Sequence, residues 1–173
     1  EECADAAGIS LTMLTQVENG VLDPPIAVLL KLSRALGVSL PHLYGESERG
    51  GSGFLHTSGT RHKTIHRSGL GYAYSYQRLA AGKREKIMEP FLVRFNKSQD
   101  TADFYQHDGE EFLYLLEGEL EYILDGKRVR LKKGDSIYLD PGIRHQVRCL
   151  GDIPAEALVV ITNKMDRGAR NES

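Results

Sequence analysis

Two histidines and a glutamate carry the most specific chemistry in this sequence. His107 and Glu111 are separated by a short segment containing the turn-forming pair Asp108-Gly109, and His145 follows further along the chain. Asp103, Tyr105 and His107 alternate, so on a strand they share one face. A turn at Asp108-Gly109 and a restart at Glu111 would set carboxylate beside imidazole. With His145 supplied by a neighbouring strand, two imidazoles and one carboxylate converge inside a barrel. Such a facial triad leaves coordination positions open and suits Fe(II), with Zn, Mn or Ni tolerable. A closed structural zinc site asks for four ligands, often with cysteine. The two cysteines, Cys3 and Cys149, lie far apart and give neither zinc spacing nor a disulfide framework. The competing arrangement is a barrel without metal, in which His107 and Glu111 hydrogen-bond to each other.

A second set is aromatic. Tyr72, Tyr74 and Tyr76 alternate with small residues. They read either as barrel wall or as hydroxyls presented to a ligand, which makes Tyr72, Tyr74 and Tyr105 the candidate pocket. Arg67, Arg78 and Arg94 are candidate anchors for an anion, with surface positions as the alternative. His62 and His66 read as solvated.

These groups need strands to position them. Period-two or apolar runs fall at 72–76, 91–95, 112–116, 119–124, 127–131 and 155–162. Asp125-Gly126 is a hairpin signal between two of them, and Gly134-Asp135 and Pro141-Gly142 mark further turns. Many short strands with a turn every ten or so residues predict a β-barrel or jelly roll.

Residues 1–45 follow another period. Ala4, Ala7, Leu11, Leu14 and Val17 recur at helical spacing, broken at Gly8. Ser10 suits an N-cap and Gly20 a stop. Pro24 and Pro25 open another helix with Ile26, Leu29, Leu30 and Leu36 on its apolar face, and Ser39 caps a last short one. The helix from Leu11 to Asn19 should turn Leu11, Leu14 and Val17 inward. Ser10, Thr12, Met13, Thr15, Gln16 and Asn19 are left outward. Gln16 suits adenine edges, Thr12 or Met13 a thymine methyl, and Ser10 and Asn19 phosphates. Against DNA binding, residues 1–45 hold only Lys31 and Arg34 as bases beside five acidic residues. A helical packing domain that has lost DNA binding is therefore the alternative. The opening residues already sit in a helical pattern, so a helix preceding residue 1 is expected.

The division expected is a helical domain 1–45, a Gly/Ser-rich linker 46–60 that loosens the coupling between domains, a β domain 61–165 and a polar tail 166–173. Net charge is −2, and no apolar run approaches the ~20 residues that span a bilayer. A reducing cytoplasm and no membrane partner are expected.

Two resemblances extend this reading. Ala7-Gly8-Ile9-Ser10-Leu11-Thr12-Met13-Leu14-Thr15-Gln16-Val17-Glu18-Asn19-Gly20, followed by Pro25 to Leu40, resembles the XRE or phage-repressor-like helix-turn-helix family, truncated of its first helix. The resemblance implies that Leu11–Asn19 is the recognition helix and double-stranded DNA the partner. Tyr105-Gln106-His107-Asp108-Gly109-Glu110-Glu111, running on to Gly118, resembles the first cupin motif, and Pro141-Gly142-Ile143-Arg144-His145 the second. That implies a double-stranded β-helix whose metal ligands are His107, Glu111 and His145. The common pattern has histidine at Tyr105, which here would ligate as phenolate, hydrogen-bond a bound water or fill the barrel. The combination looks like a class of bacterial transcription factors. It implies a cupin that takes a small-molecule effector or a metal and pairs two copies of the chain. The same domain order and ligand pattern also resemble mononuclear non-heme iron phosphonate epoxidases, which makes an Fe(II)-dependent oxidoreductase the alternative.

Overall fold

A computed structural model describes residues 1–45, 53–62, 64–69, 72–83, 86–97 and 104–162. The chain forms helices α1 (Glu2–Ala7), α2 (Leu11–Glu18), α3 (Ile26–Ala35) and α4 (Leu40–Leu43), then strands. Gly8 ends α1 at φ 59°, the left-handed region that a side chain disfavours. Ser10 then starts α2, its Oγ accepting from the Met13 N–H at 3.1 Å, a cap of about 1 kcal/mol.

Ala4, Ala7, Leu14, Val28 and Leu32 form the helical core, with Met13 and Val17 packed against it. Leu11 and Leu36, both expected inside, are 50% and 51% exposed. On α2 the buried stripe runs through Met13, Leu14 and Val17, and at ~100° per residue Leu11 falls beyond its edge. On α3 the apolar surface is wider than one stripe. Val28 and Leu32 enter the helical core. Ile26, Leu29 and Leu30 join Leu40 in the larger cluster formed by the strands. A helix apolar on two sides is one that is covered on both.

The strands are β1 (Thr64–Gly69), β2 (Tyr72–Arg78), β3 (Met88–Phe95), β4 (Glu110–Glu117), β5 (Glu119–Leu124), β6 (Lys127–Lys132), β7 (Ser136–Leu139), β8 (His145–Leu150) and β9 (Ala155–Thr162). They pair antiparallel in two sheets, ordered β1-β2-β3-β9-β4-β7 and β6-β5-β8. Their inner faces bury Phe91, Val93, Leu113, Leu115, Leu120 and Tyr122, among others. Alternation places these residues inward and the intervening ones outward.

Two expectations change. Tyr105 and His107 do not share a strand. Tyr105 makes an isolated bridge to His145, with N···O distances of 2.7 and 3.0 Å, while His107 comes from a loop whose N–H bonds Pro141 O at 3.0 Å. Asp103 lies outside the described residues. Nor are the helices and the sandwich loosely tethered: Ile26, Leu29, Leu30 and Leu40 share one buried cluster with the strands. Residues 46–52 of the expected linker and the polar tail lie outside the described residues.

One charge helps hold the small sheet. Glu121 on β5 is 2% exposed beneath Arg148, whose Nε donates at 2.7 Å, with Arg128 and Arg130 beyond. Burial pushes its carboxyl up, but the hydrogen bond and charge of Arg148, followed by Arg128 and Arg130, bring it below the usual value. The ionised form is therefore favoured in the fold. Its stabilisation is present above the unfolded carboxylate value and is lost as pH falls through the lower folded value. Thermal melts between pH 6 and 3 are expected to fall less steeply in Glu121→Gln than in wild type.

Candidate metal centre and DNA-reading helix

The loop before β4 delivers His107, β4 begins with Glu111 one position in, and β8 begins with His145. The turn between the first two depends on Gly109. Its φ is +105°, and an added Cβ would lie 1.7 Å from Thr162 O. The hydrogen bond from Glu110 N–H to Thr162 Oγ1 (3.0 Å) fixes the same spot.

All three side chains are buried, and one ligand atom from each lies within 4.8 Å of the others. His107 Nε2 stands 3.4 Å from Glu111 Oε2. Each imidazole turns Nδ1 to a backbone carbonyl, His107 to Asp108 O (3.1 Å) and His145 to Ile143 O (3.0 Å). A carbonyl only accepts, so Nδ1 carries the proton and the Nε2 lone pair faces inward. Tyr122 donates its hydroxyl to Glu111 Oε1 at 3.1 Å and leaves Oε2 for the chamber. Metal sites fix their ligands with such outer partners.

The electrostatics agree. Burial holds the His145 imidazole below the usual histidine value, against the Ile143 carbonyl and the Glu111 charge. Burial pushes Glu111 up, but the hydrogen bond and charge of His107, then His145 and Tyr122, bring it below the ordinary carboxylate value. Burial first, then Glu111, pushes the Tyr122 hydroxyl well above its usual range. Two imidazoles and one carboxylate form a donor set that could hold a divalent metal, with positions left open.

The chamber around them has a volume of about 80 Å³. Tyr74 and Tyr105 line it, and so do Pro25, Ile26 and Ala27 at the start of α3. The side chain of Tyr72 is outside the described residues. The ring of Tyr105 lies 6.3 Å from that of His145. Arg78 is buried beside Glu89 and covers the Tyr44 ring at 3.8 Å, while Arg94 is exposed. Sequence reasoning missed Tyr122 and the three α3 residues. Inward alternation with Leu120 and Leu124 marked Tyr122, and the doubly apolar α3 marked the others.

On α2, Ser10, Thr12, Thr15 and Asn19 are exposed, Gln16 is half-buried, and Met13 is half-buried against the helical core. Met13 therefore belongs partly to the packed side of α2, contrary to its expected outward position. Thr15 Oγ1 donates to Leu11 O at 2.9 Å, and Ser10 Oγ is occupied as an acceptor by the cap.

Residues 1–43 match the helix-turn-helix family and residues 91–161 match the cupin domain family. Together they define a helix-turn-helix protein with a C-terminal cupin domain. The chain is similar to the HTH-type transcriptional regulator PuuR of Escherichia coli, 23% identical over 82% of this chain and 75% of that protein. Among solved structures it resembles an HTH_3 family transcriptional regulator from Vibrio cholerae, with TM-score 0.64, 19% identity, and 92% and 84% of the two chains covered. It also resembles hydroxypropylphosphonic acid epoxidase from S. wedmorenis, with TM-score 0.55, 22% identity, and 92% and 86% covered. At these identities the structural likenesses are likenesses of fold. Among the described residues no helix is long and apolar enough to cross a membrane.

Proposed function

We propose that this protein is a DNA-binding transcriptional regulator whose cupin chamber takes a divalent metal, alone or with a small effector. The observation that carries the reading is the capped α2, which keeps a polar outward face while standing on the same α3 that lines the chamber. The PuuR likeness, which runs through both domains, supports it. Thr12, Thr15, Gln16 and Asn19 are the proposed DNA contacts, with Ser10 at the phosphate and Met13 at the margin. His107, Glu111 and His145 are the proposed metal ligands. Iron suits the open triad best, and Zn, Mn or Ni are tolerated by the same donors.

Selection from a random duplex pool tests the first half. The full chain is expected to enrich a palindromic site with half-sites about one helical turn apart. Gln16→Ala should lose roughly 1–3 kcal/mol of discrimination at one base pair. Failure of the wild type to enrich any sequence refutes DNA reading.

A palindromic site needs two copies of the chain, and the cupin offers a face for pairing. β4 and β9 carry apolar residues on both faces. Phe112, Tyr114, Leu158 and Val160 stand opposite the buried row, and Tyr138 beside Phe112 is 64% exposed. An antiparallel strand with one solvated face alternates polar with apolar, so these outer residues fit a covered surface. Light scattering is expected to give a dimer for wild type and a monomer for Tyr114→Glu.

The triad's donor set is also the observation that favours a second reading, an iron-dependent oxidoreductase in which Tyr74 and Tyr105 meet the substrate. Oxygen consumption by iron-loaded protein on a small phosphonate would favour it over the regulator.

A further inference from the structure

The chamber is too small for most ligands. Pockets for small organic molecules run from about 300 Å³ upward, and each liquid water takes about 30 Å³. A space of about 80 Å³ therefore holds a metal ion with a few waters, but not an ion carrying an organic ligand. The first turn of α3, through Pro25, Ile26 and Ala27, forms one side of the chamber.

The helices are fastened to the strand domain at several points. Ile26 N–H donates to Tyr74 Oη at 3.4 Å, and the hydroxyls of Tyr44 and Tyr76 are 2.9 Å apart. Arg34, in the last turn of α3, forms an ion pair with Asp108. Asp108 directly follows His107, and its carbonyl holds His107 Nδ1. The exposed flank of α3 is open. A cleft of about 580 Å³ lies beside it, lined by Lys31 and Arg34 on one wall and by Gln106, His107 and Asp108 on the other. The cleft flanks the C-terminal half of α3 and shares His107 with the chamber.

Resting on the reading of His107, Glu111 and His145 as a metal site, we infer that α3 is the movable roof of the chamber and that Ile26 sets the size limit for any ligand on the metal. A ligand larger than a few waters enters by lifting the first turn of α3 away from Tyr74. Leu14 of α2 packs against Val28 and Leu32 of α3, so the DNA-reading helix moves with the roof. Size selection and transmission to DNA are then one displacement, and by linkage each affects the other by the same factor.

Acetohydroxamate, a small bidentate chelator, serves as the probe on full-length protein saturated with Co(II). Visible absorption reports its binding, and amide exchange reports the state of α3. Ile26→Ala is expected to raise acetohydroxamate affinity at least tenfold. Tyr44→Phe and Arg34→Ala, which release the roof without touching the chamber wall, should raise it several-fold. In the wild type, acetohydroxamate should speed amide exchange across 26–35. Equal affinities in all four proteins, with unchanged exchange across 26–35, overturn the roof while leaving the metal reading intact. Wild type that binds no Co(II) overturns the metal reading and the roof with it.

Discussion

His107→Ala is expected to purify without stoichiometric divalent metal, whereas wild type prepared without chelator carries close to one equivalent. The substitution removes one of three ligands and leaves Glu111 and His145, whose backbone positions do not depend on the lost ring. Loss of an outer partner alone costs a metal site about 10–100-fold in affinity, so loss of a ligand should exceed about 100-fold. Tyr122→Phe supplies the graded comparison. It keeps Glu111 in place but removes the hydrogen bond to Oε1, and should weaken binding within that 10–100-fold range. Elemental analysis and a competition titration measure both. Equal trace metal in wild type and His107→Ala would mean that the triad is only a hydrogen-bonded pair with a neighbouring histidine.

Gly109→Ala is the substitution expected to damage the fold most for its size. One methyl group would overlap Thr162 O and would have to be carried at φ +105°. Neither side can give way cheaply. Thr162 is the pairing partner of Glu110 and also accepts the Glu110 N–H on its side chain. Backbone strain of this kind costs about 1–3 kcal/mol before the overlap is counted. The total should therefore reach at least about 3 kcal/mol, or roughly 6–12 °C in melting temperature for a chain of this length. The same turn sets the spacing of His107 and Glu111, so metal affinity should fall as well. A variant that melts within a degree or two of wild type would show that the turn can open, contrary to the packing around Thr162.

Much of this was legible in the sequence because period and turn chemistry act locally. β5 and β9 start and stop where alternation and glycine place them, and Ser10 caps α2 as its position before an apolar stripe requires. The three proposed ligands were readable from spacing because a tight turn leaves few ways to place His107 and Glu111. What was not legible depends on contacts between distant segments. Tyr105 and His107 alternate, yet pairing with His145 and Pro141 takes precedence over a continuous strand. Met13 and Leu11 exchanged places because the rotation of α2 follows what α1 and α3 present to it. Arg78 was a candidate anchor for an anion, but it is buried against Glu89 and Tyr44, partners that no local rule identifies. The roof over the chamber was hidden for the same reason. The pattern of α3 shows that two faces are apolar, and only the tertiary structure shows that the second meets the cupin.

Helix-turn-helix regulators are often rebuilt by joining the reader of one protein to the sensor of another at the connecting segment. The doubly packed α3 argues against that cut here. Its Val28 and Leu32 are matched to the helices, and its Ile26, Leu29 and Leu30 to the sandwich. A graft made within 46–60 would bring in an α3 fitted to the wrong barrel. The working seam lies on the surface of α3 rather than in the chain that follows it. A functional hybrid would therefore keep the inward residues of this α3 and exchange only the outward residues of α2.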